Sequence, residues 1–265
     1  MYKDVESLKL ILKSLSTQTY DNFEIIISED GESSIMKEFI NSYTDLELIH
    51  SYHKDEGWRK NIALNNAIKK SNGEYLIFID GDIIPYSNFV EMHLHLSDSK
   101  KVLCGKRVEL GSYMSKLIRN YTLSTSLLEK LFIPLLPLFA LDKARHIEEG
   151  IKLSPLNYIA KRRNSKENLI LIGCNFSCYK KDLELINGFD EDYSVPSVGE
   201  DVDLIWRFRH FNIKLQYIRN VANVFHLWHK RTWNMSEVDF NNKILDKKRY
   251  NKEFKCINGL KKEIK

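Results

Sequence analysis

The sequence predicts one α/β domain with a mixed, mainly parallel central sheet flanked by helices. Three observations point there. The near-continuous apolar runs FEIIIS (23–28) and YLIFI (75–79) have the length and composition of strands buried on both faces. Segments with apolar residues three and four apart separate them, the pattern of amphipathic helices. No internal repeat is visible, and 265 residues with 43% hydrophobic content can build one large core.

The elements follow in order. Residues 4–15 carry Val5, Leu8, Leu12 and Leu15 on one helical face. A strand at 23–28 ends in Glu29-Asp30-Gly31; a helix over 33–43 and a strand over 46–51 follow. The next helix covers 60–70, turning Ile62, Ala63, Ala67 and Ile68 inward. The strand at 75–79 delivers Asp80-Gly81-Asp82 at its C-terminal end. In the second half, 102–110 and 169–178 read as strands with a long, partly helical stretch between them. Residues 199–211 read as a helix with Val202, Ile205, Trp206 and Phe208 inward, and 220–228 as a short strand. From residue 236 a helical tail carries an apolar seam of Val238, Ile244 and Leu245.

A net charge of +4 and a pI near 8.7 argue against a polyanion-coating protein and against an acidic disordered one. The basic excess collects at 239–265, where nine Lys or Arg face four Asp or Glu. That tail suits a solvated helix face, or contact with anionic lipid headgroups or nucleic acid. Nothing elsewhere resembles a nucleic-acid module, so no nucleic-acid partner is expected. Cys104, Cys174, Cys178 and Cys256 form no CxxC pair and follow no secretory signal, which suggests reduced thiols in the cytoplasm. No apolar run reaches membrane-spanning length. The nearest, LFIPLLPLFAL (131–141), contains Pro134 and Pro137 and reads as a core segment or, with Lys130 and Lys143 flanking it, as a patch on a bilayer surface.

Three groups carry candidate chemistry. Asp80 and Asp82 leave one strand end with Gly81 between them; carboxylate oxygens suit hard divalent cations, which bridge diphosphates. A plain surface turn is the competing reading. Glu200, Asp201 and Asp203 stand at a helix start, where they either complement the exposed N–H groups or supply a general base. His226 and His229 bracket Leu227 and Trp228; an imidazole can complete a metal site begun by the aspartates, or simply pack. Trp228 suits stacking on a sugar or filling a core. No G-x-G-x-x-G or P-loop pattern is present.

In order, QTYDNFEIIISEDG (18–31), GEYLIFIDGD (73–82), GCNFSCYKKDLELINGFDE (173–191), GEDVDLIWRFR (199–209) and FHLWHKR (225–231) resemble the family 2 glycosyltransferases of the GT-A fold. The likeness is greatest to bacterial members with the galactosyltransferase-type C-terminal segment seen in chondroitin-type polymerases, and it spans nearly the whole chain. It implies inverting transfer of a hexose or N-acetylhexosamine from a nucleotide diphospho-sugar, usually UDP-linked, with Mn2+ or Mg2+. The acceptor would be a saccharide or lipid-linked saccharide in surface polysaccharide, lipopolysaccharide or capsule synthesis. The protein would be cytoplasmic or peripheral at the inner face of the cell membrane, where an anionic surface is a further partner.

By the same resemblance Asp30, Arg59, Lys60, Asn65 and Asp80 bind the nucleotide-sugar, and Asp82 with His226 holds the metal, His229 being the second choice. Asn175, Glu200 and Trp228 meet the acceptor, and Asp201 is the catalytic base. Residues 1–100 would form the nucleotide-sugar half, 101–235 the acceptor and catalytic half, and 236–265 a basic helical tail. Two departures stand out. Family members open with a strand ending in a Pro-Thr-Tyr-Asn-like turn, whereas this chain starts at Met1-Tyr2-Lys3-Asp4, just after the expected strand. Relatives also carry an aromatic-Gly pair before G-E-D, where this chain has Ser194-Val195-Pro196-Ser197-Val198. A retaining transferase, or a noncatalytic nucleotide-sugar or glycan-binding protein, are the alternative readings.

Overall fold

The computed structural model describes residues 1–165, 169–196, 200–230 and 234–262. Helices and strands alternate through the first half: α1 (Val5–Leu15), β1 (Ile25–Ser28), α2 (Ser34–Ser42), β2 (Leu48–Ser51), α3 (Lys60–Lys70), β3 (Tyr75–Ile79), β4 (Ile83–Pro85) and α4 (Phe89–His95). Strands β5 (Lys101–Cys104) and β6 (Val108–Glu109) lead into the short helices α5 (Ser112–Arg119), α6 (Thr125–Lys130), α7 (Leu136–Leu141) and α8 (Tyr158–Asn164). The chain ends with β7 (Asn175–Tyr179), α9 (Lys180–Leu185), α10 (Glu200–His210), β8 (Lys214–Tyr217), β9 (Val224–His226) and α11 (Met235–Tyr250).

Local signals set several of these boundaries. Asp4 caps α1 by accepting from the Ser7 N–H at 2.9 Å. Asn234 and Glu237 form a reciprocal capping box at the start of α11. On α11 the expected seam buries only Leu245 fully; Asn241 and Lys248 are buried beside it. Lys248 is held there by Asp190 and Asp192, at 2.7 and 2.6 Å.

Among the described residues the strands pair in three hydrogen-bonded groups: β1–β2, β3–β7–β5–β8 and β4–β9–β6. The mixed α/β architecture agrees with the sequence. The balance is more even than mainly parallel: β1/β2, β5/β8 and β6/β9 run parallel, whereas β3/β7, β5/β7 and β4/β9 run antiparallel. The reason is β7, which arrives after the long helical excursion and inserts antiparallel between β3 and β5.

Two expected strands are shorter than their apolar runs. The 102–110 run divides at Gly105, where an added Cβ would lie 2.2 Å from the Asn175 side chain, so the backbone turns and β6 joins a different sheet from β5. The 169–178 run is strand only from Asn175, because the Asn175 N–H donates to Ile172 O and closes a turn. Leu169 and Leu171 still enter the core with Phe176, Leu204 and Phe208. The 131–141 segment is part core and part exposed surface. Phe132 and Phe139 are buried against Tyr86 and Phe225, while Ile133 and Leu141 remain exposed.

Candidate active site

Strand β3 ends just before Asp80, and β4 begins directly after Asp82. Strand β4 pairs with β9 so that Ile83 faces His226, and Leu227 N–H donates to Asp82 O at 2.9 Å. This pairing brings the first candidate motif against the last. Asp82 Oδ2 lies 3.3 Å from His226 Nε2 and 3.1 Å from His229 Nε2, and the three residues can each point a ligand atom into a space under 4.8 Å across. Burial alone would raise the Asp82 pKa, but hydrogen bonds from both imidazoles outweigh it and hold the carboxyl well below its ordinary range. The bond to Asp82 raises His229 against the opposing effect of burial.

The other oxygen, Asp82 Oδ1, is buried and has no hydrogen-bond partner among the described residues. A buried carboxylate oxygen without a donor is costly unless something fills the gap. One carboxylate and two imidazoles form a mixed O/N donor set that can hold a divalent first-row metal ion, Mn2+ among them. These residues therefore fit a divalent cation, with His226 more enclosed than His229 (side chains 14% and 50% exposed).

Asp80 pairs with Lys60 Nζ at 2.9 Å, across from the start of α3. Asp201, in the first turn of α10, accepts from the Val202 N–H at 2.8 Å and lines the same small cavity as Lys60, Asp80 and Gly173. At the end of β1, both carboxylate oxygens of Asp30 accept from the Arg59 N–H, at 3.1 and 2.9 Å, and His53 Nε2 lies 3.3 Å away. Arg59 turns its guanidinium back to Trp58 O at 2.9 Å. Trp228 is half exposed, and its backbone N–H donates to Ser115 Oγ at 2.8 Å.

Two expected ligand-binding residues are occupied elsewhere. Asn65 is fully buried and spends its amide on Phe189 O, Phe189 N and Glu191 Oε1, tying α3 to the loop before α10. Asn175 is also fully buried. Its Nδ2 donates to Lys106 O and Ala222 O, and its Oδ1 meets His93 Nε2 at 3.1 Å. Both side chains brace the backbone instead of facing a cleft. Glu200 begins α10, but its side chain and Gly199 lie outside the described residues, as do Ser197 and Val198.

Arg107 was not singled out from the sequence. Between β5 and β6, its Nη1 donates to Cys174 Sγ and its Nη2 to Glu109 Oε1, both at 3.2 Å. Its partner Glu109 lies across from His226 where β6 pairs with β9, and the Arg107 charge opposes the rise that Asp82 gives the His229 pKa. No spacing in CGKRVEL marks it; only the pairing of β6 with β9 carries it there.

The glycosyl transferase family 2 model matches residues 1–183, and the model described as the N-terminal domain of galactosyltransferase matches residues 159–230. Glycosyltransferase AglE of Haloferax volcanii is 30% identical over 97 residues, which is 34% of this chain and 31% of that protein. The Escherichia coli UDP-Glc:alpha-D-GlcNAc-diphosphoundecaprenol beta-1,3-glucosyltransferase WfaP is 28% identical over 104 residues, 38% of this chain and 40% of that protein. The matched stretch is thus well under half the length of either relative. Among solved structures, the mannosyltransferase PcManGT of Pyrobaculum calidifontis in complex with GDP-Man and Mn2+ superposes with a TM-score of 0.57 at 14% identity, covering 96% of this chain and 65% of that one. Staphylococcus aureus TarS gives 0.56 at 16% identity, covering 95% and 38%.

Proposed function

Because this chain belongs to glycosyl transferase family 2 and has the GT-A fold, we propose that it transfers a hexose or N-acetylhexosamine from a nucleotide diphospho-sugar to a saccharide hydroxyl with inversion. The observation that carries the proposal is the convergence of Asp82, His226 and His229 at the mouth of β3, next to Asp80 and Lys60. Asp82 and His226 would hold Mn2+ or Mg2+, with His229 as a third donor. Such an ion supplies positive charge against the departing diphosphate.

The chain's own residues account for the rest. Lys60 offers a second cation at Asp80, and Asp30 at the end of β1 is the candidate for the nucleotide base. Asp201 is the candidate proton acceptor for the incoming hydroxyl, as its position by Lys60 and Asp80 favours. Trp228 offers an exposed ring for a sugar face. Arg107, pinned by Glu109 and Cys174, adds a further positive charge that acts on His229.

A UDP-linked donor is the first choice, and the acceptor is a growing surface glycan, lipopolysaccharide or capsule repeat, free or lipid-linked. Residues 1–100 serve the donor and 101–235 the acceptor. None of the helices is long and apolar enough to cross a membrane among the described residues. We place the protein in the cytoplasm, with Ile133 and Leu141 between Lys130 and Lys143 as the patch for an anionic membrane face.

The test is a screen of UDP- and GDP-sugars with simple glycoside acceptors, in Mn2+ and after chelation. Metal-dependent transfer, lost in D82A, with the anomeric configuration inverted in the product, is the expected result. A retained configuration would overturn inversion. Donor binding without transfer or hydrolysis would favour a binding protein.

A further inference from the structure

Strand β9, which carries His226, has a neighbour on each side. On one side lies β4, which leads back to Asp82; on the other lies β6, with Glu109 in register with His226. The row continues one step further, to Arg145. Glu109 and Arg145 form an isolated antiparallel bridge and exchange both backbone bonds: Glu109 N–H donates to Arg145 O at 3.0 Å, and Arg145 N–H to Glu109 O at 2.9 Å. Residues paired across strands send their side chains to the same face. The face that turns His226 to Asp82 therefore also presents Glu109 and Arg145. Arg145 stands two strand spacings, about 10 Å, from His226.

Charge on this face does not balance. Arg107, two residues before Glu109, joins it by strand alternation and bonds Glu109 Oε1, while Glu109 Oε2 pairs with Arg145 Nη1 at 3.5 Å. Burial alone would raise the Glu109 pKa, but the two guanidiniums outweigh it and hold the carboxyl below its ordinary range. Among the described residues, Glu109 is the one carboxylate that pairs with either guanidinium. Arg107 spends Nη1 on Cys174 Sγ, and a thiol is a weak acceptor. Burial pushes that thiol up to about 12, so it brings no counter-charge. Two arginines share one carboxylate, which leaves one positive charge over. Arg145, its side chain 57% exposed, presents that charge to solvent.

Position decides which substrate meets it. Asp80 and Asp82 enter the row from the β4 edge, whereas Arg145 closes it beyond β6. Strands β9 and β6 thus separate Arg145 from the two aspartates and from Lys60, the cation at Asp80. An anion held at Arg145 lies on the His226 face but away from the donor groups, at a distance that a short saccharide spans. The guanidinium fork takes two oxygens of a carboxylate or a phosphate side by side. Glu109 keeps both arginines in place and repels any anion that does not reach past it.

We propose that Arg145 and Arg107, bridged by Glu109, form an anion subsite for the acceptor, which selects saccharides carrying a carboxylate or a phosphate close to the reacting hydroxyl. The carboxylate would belong to a uronic acid and the phosphate to a diphosphate-linked lipid carrier; the recognised chemistry, a pair of anionic oxygens, is the same. Assignment to the acceptor rests on the sugar transfer proposed for the chain, whereas affinity for an oxyanion rests on the arginines alone.

The experiment titrates the full 15N-labelled chain with two matched pairs of probes, UDP and Mg2+ being present to fill the donor side. Methyl glucuronide is set against methyl glucoside, and hexyl diphosphate-linked N-acetylglucosamine against hexyl N-acetylglucosaminide. The anionic member of one pair should bind about tenfold tighter than its neutral partner and shift the Glu109 and Arg145 amide signals. The pair that shows the preference identifies the source of the anion. R145Q, a change at an exposed side chain whose folding a melting curve checks, should abolish the preference, and R145K should restore part of it. No preference in either pair, or an undiminished one in folded R145Q, would overturn the subsite. Loss of UDP affinity in R145Q as large as the loss of anion affinity would assign the arginines to the donor and overturn the acceptor role. Anion preference in a chain that binds no UDP and transfers no sugar would keep the anion site and sink the transfer reading; transfer to neutral acceptors without any anion preference would do the reverse.

Discussion

The Asp201-Val202-Asp203 segment separates two roles two residues apart, and substituting each aspartate by asparagine tests the division. Asp203 is fully buried. Its Oδ2 accepts from Arg207 Nε at 2.7 Å and pairs with Nη2, and its Oδ1 accepts from Trp206 Nε1 at 3.1 Å and Tyr193 OH at 3.4 Å. Arg207 is equally buried and uses Nη1 to bind Ile186 O and Gly188 O, at 2.9 and 2.8 Å. D203N leaves that guanidinium without its counter-charge in a site closed to water. Breaking one partner of such a pair costs about 3–5 kcal/mol, which for a chain of this size lowers Tm by roughly 6–20 °C. Asp201 is not enclosed in that way. It is only partly buried at the helix start, and D201N should move Tm little while lowering kcat by roughly 10²-fold or more, the usual contribution of a positioned base. Calorimetry and urea unfolding give stability; turnover at a temperature where both variants are fully folded gives catalysis. A D203N protein melting within 2 °C of the parent would refute the buried-pair reasoning, and a folded D201N with parental turnover would remove Asp201 from the mechanism.

Other outcomes follow from the same geometry. H226A should weaken Mn2+ binding, read by calorimetry, more than H229A does, because β9 fixes His226 whereas His229 is half exposed; the reverse order would make His229 the principal ligand. His93 is buried between Ser177 Oγ at 2.7 Å and Asn175 Oδ1, and burial pushes its pKa down to about 3. The unfolded chain therefore binds the extra proton between about pH 6.5 and 3, and stability falls as pH drops through that window by about 1.4 kcal/mol per unit. Urea unfolding at pH 7, 6 and 5 should show a shallower acid loss in H93Q than in the parent; identical slopes would contradict the assignment. Burial pushes Cys104, Cys174 and Cys256 up to about 12, and all four cysteines are buried, so none should alkylate at pH 8 until the chain is denatured. Rapid labelling of the folded protein would show that one of these sites opens.

What the sequence determined by itself was whatever depends on neighbours along the chain. The periodicity of residues 60–70 and the apolar run at 75–79 match α3 and β3 to the residue, because helix and strand faces repeat over a few positions. The motifs around Asp80, Asp82 and His226 were legible for the same reason, as short patterns of residue type. Tertiary structure decided which of these residues meet. Asp82 reaches His226 only through the pairing of β4 with β9, and Arg107 joins them only because β6 lies on the other side of β9. It also decided which polar residues are spent. Asn65 and Asn175 look no different in sequence from residues in a binding cleft, but burial commits their amides to backbone groups distant in the chain. Asp201 and Asp203 divide by the same criterion: a carboxylate's role follows from what surrounds it, and its surroundings are assembled from segments that local pattern cannot relate.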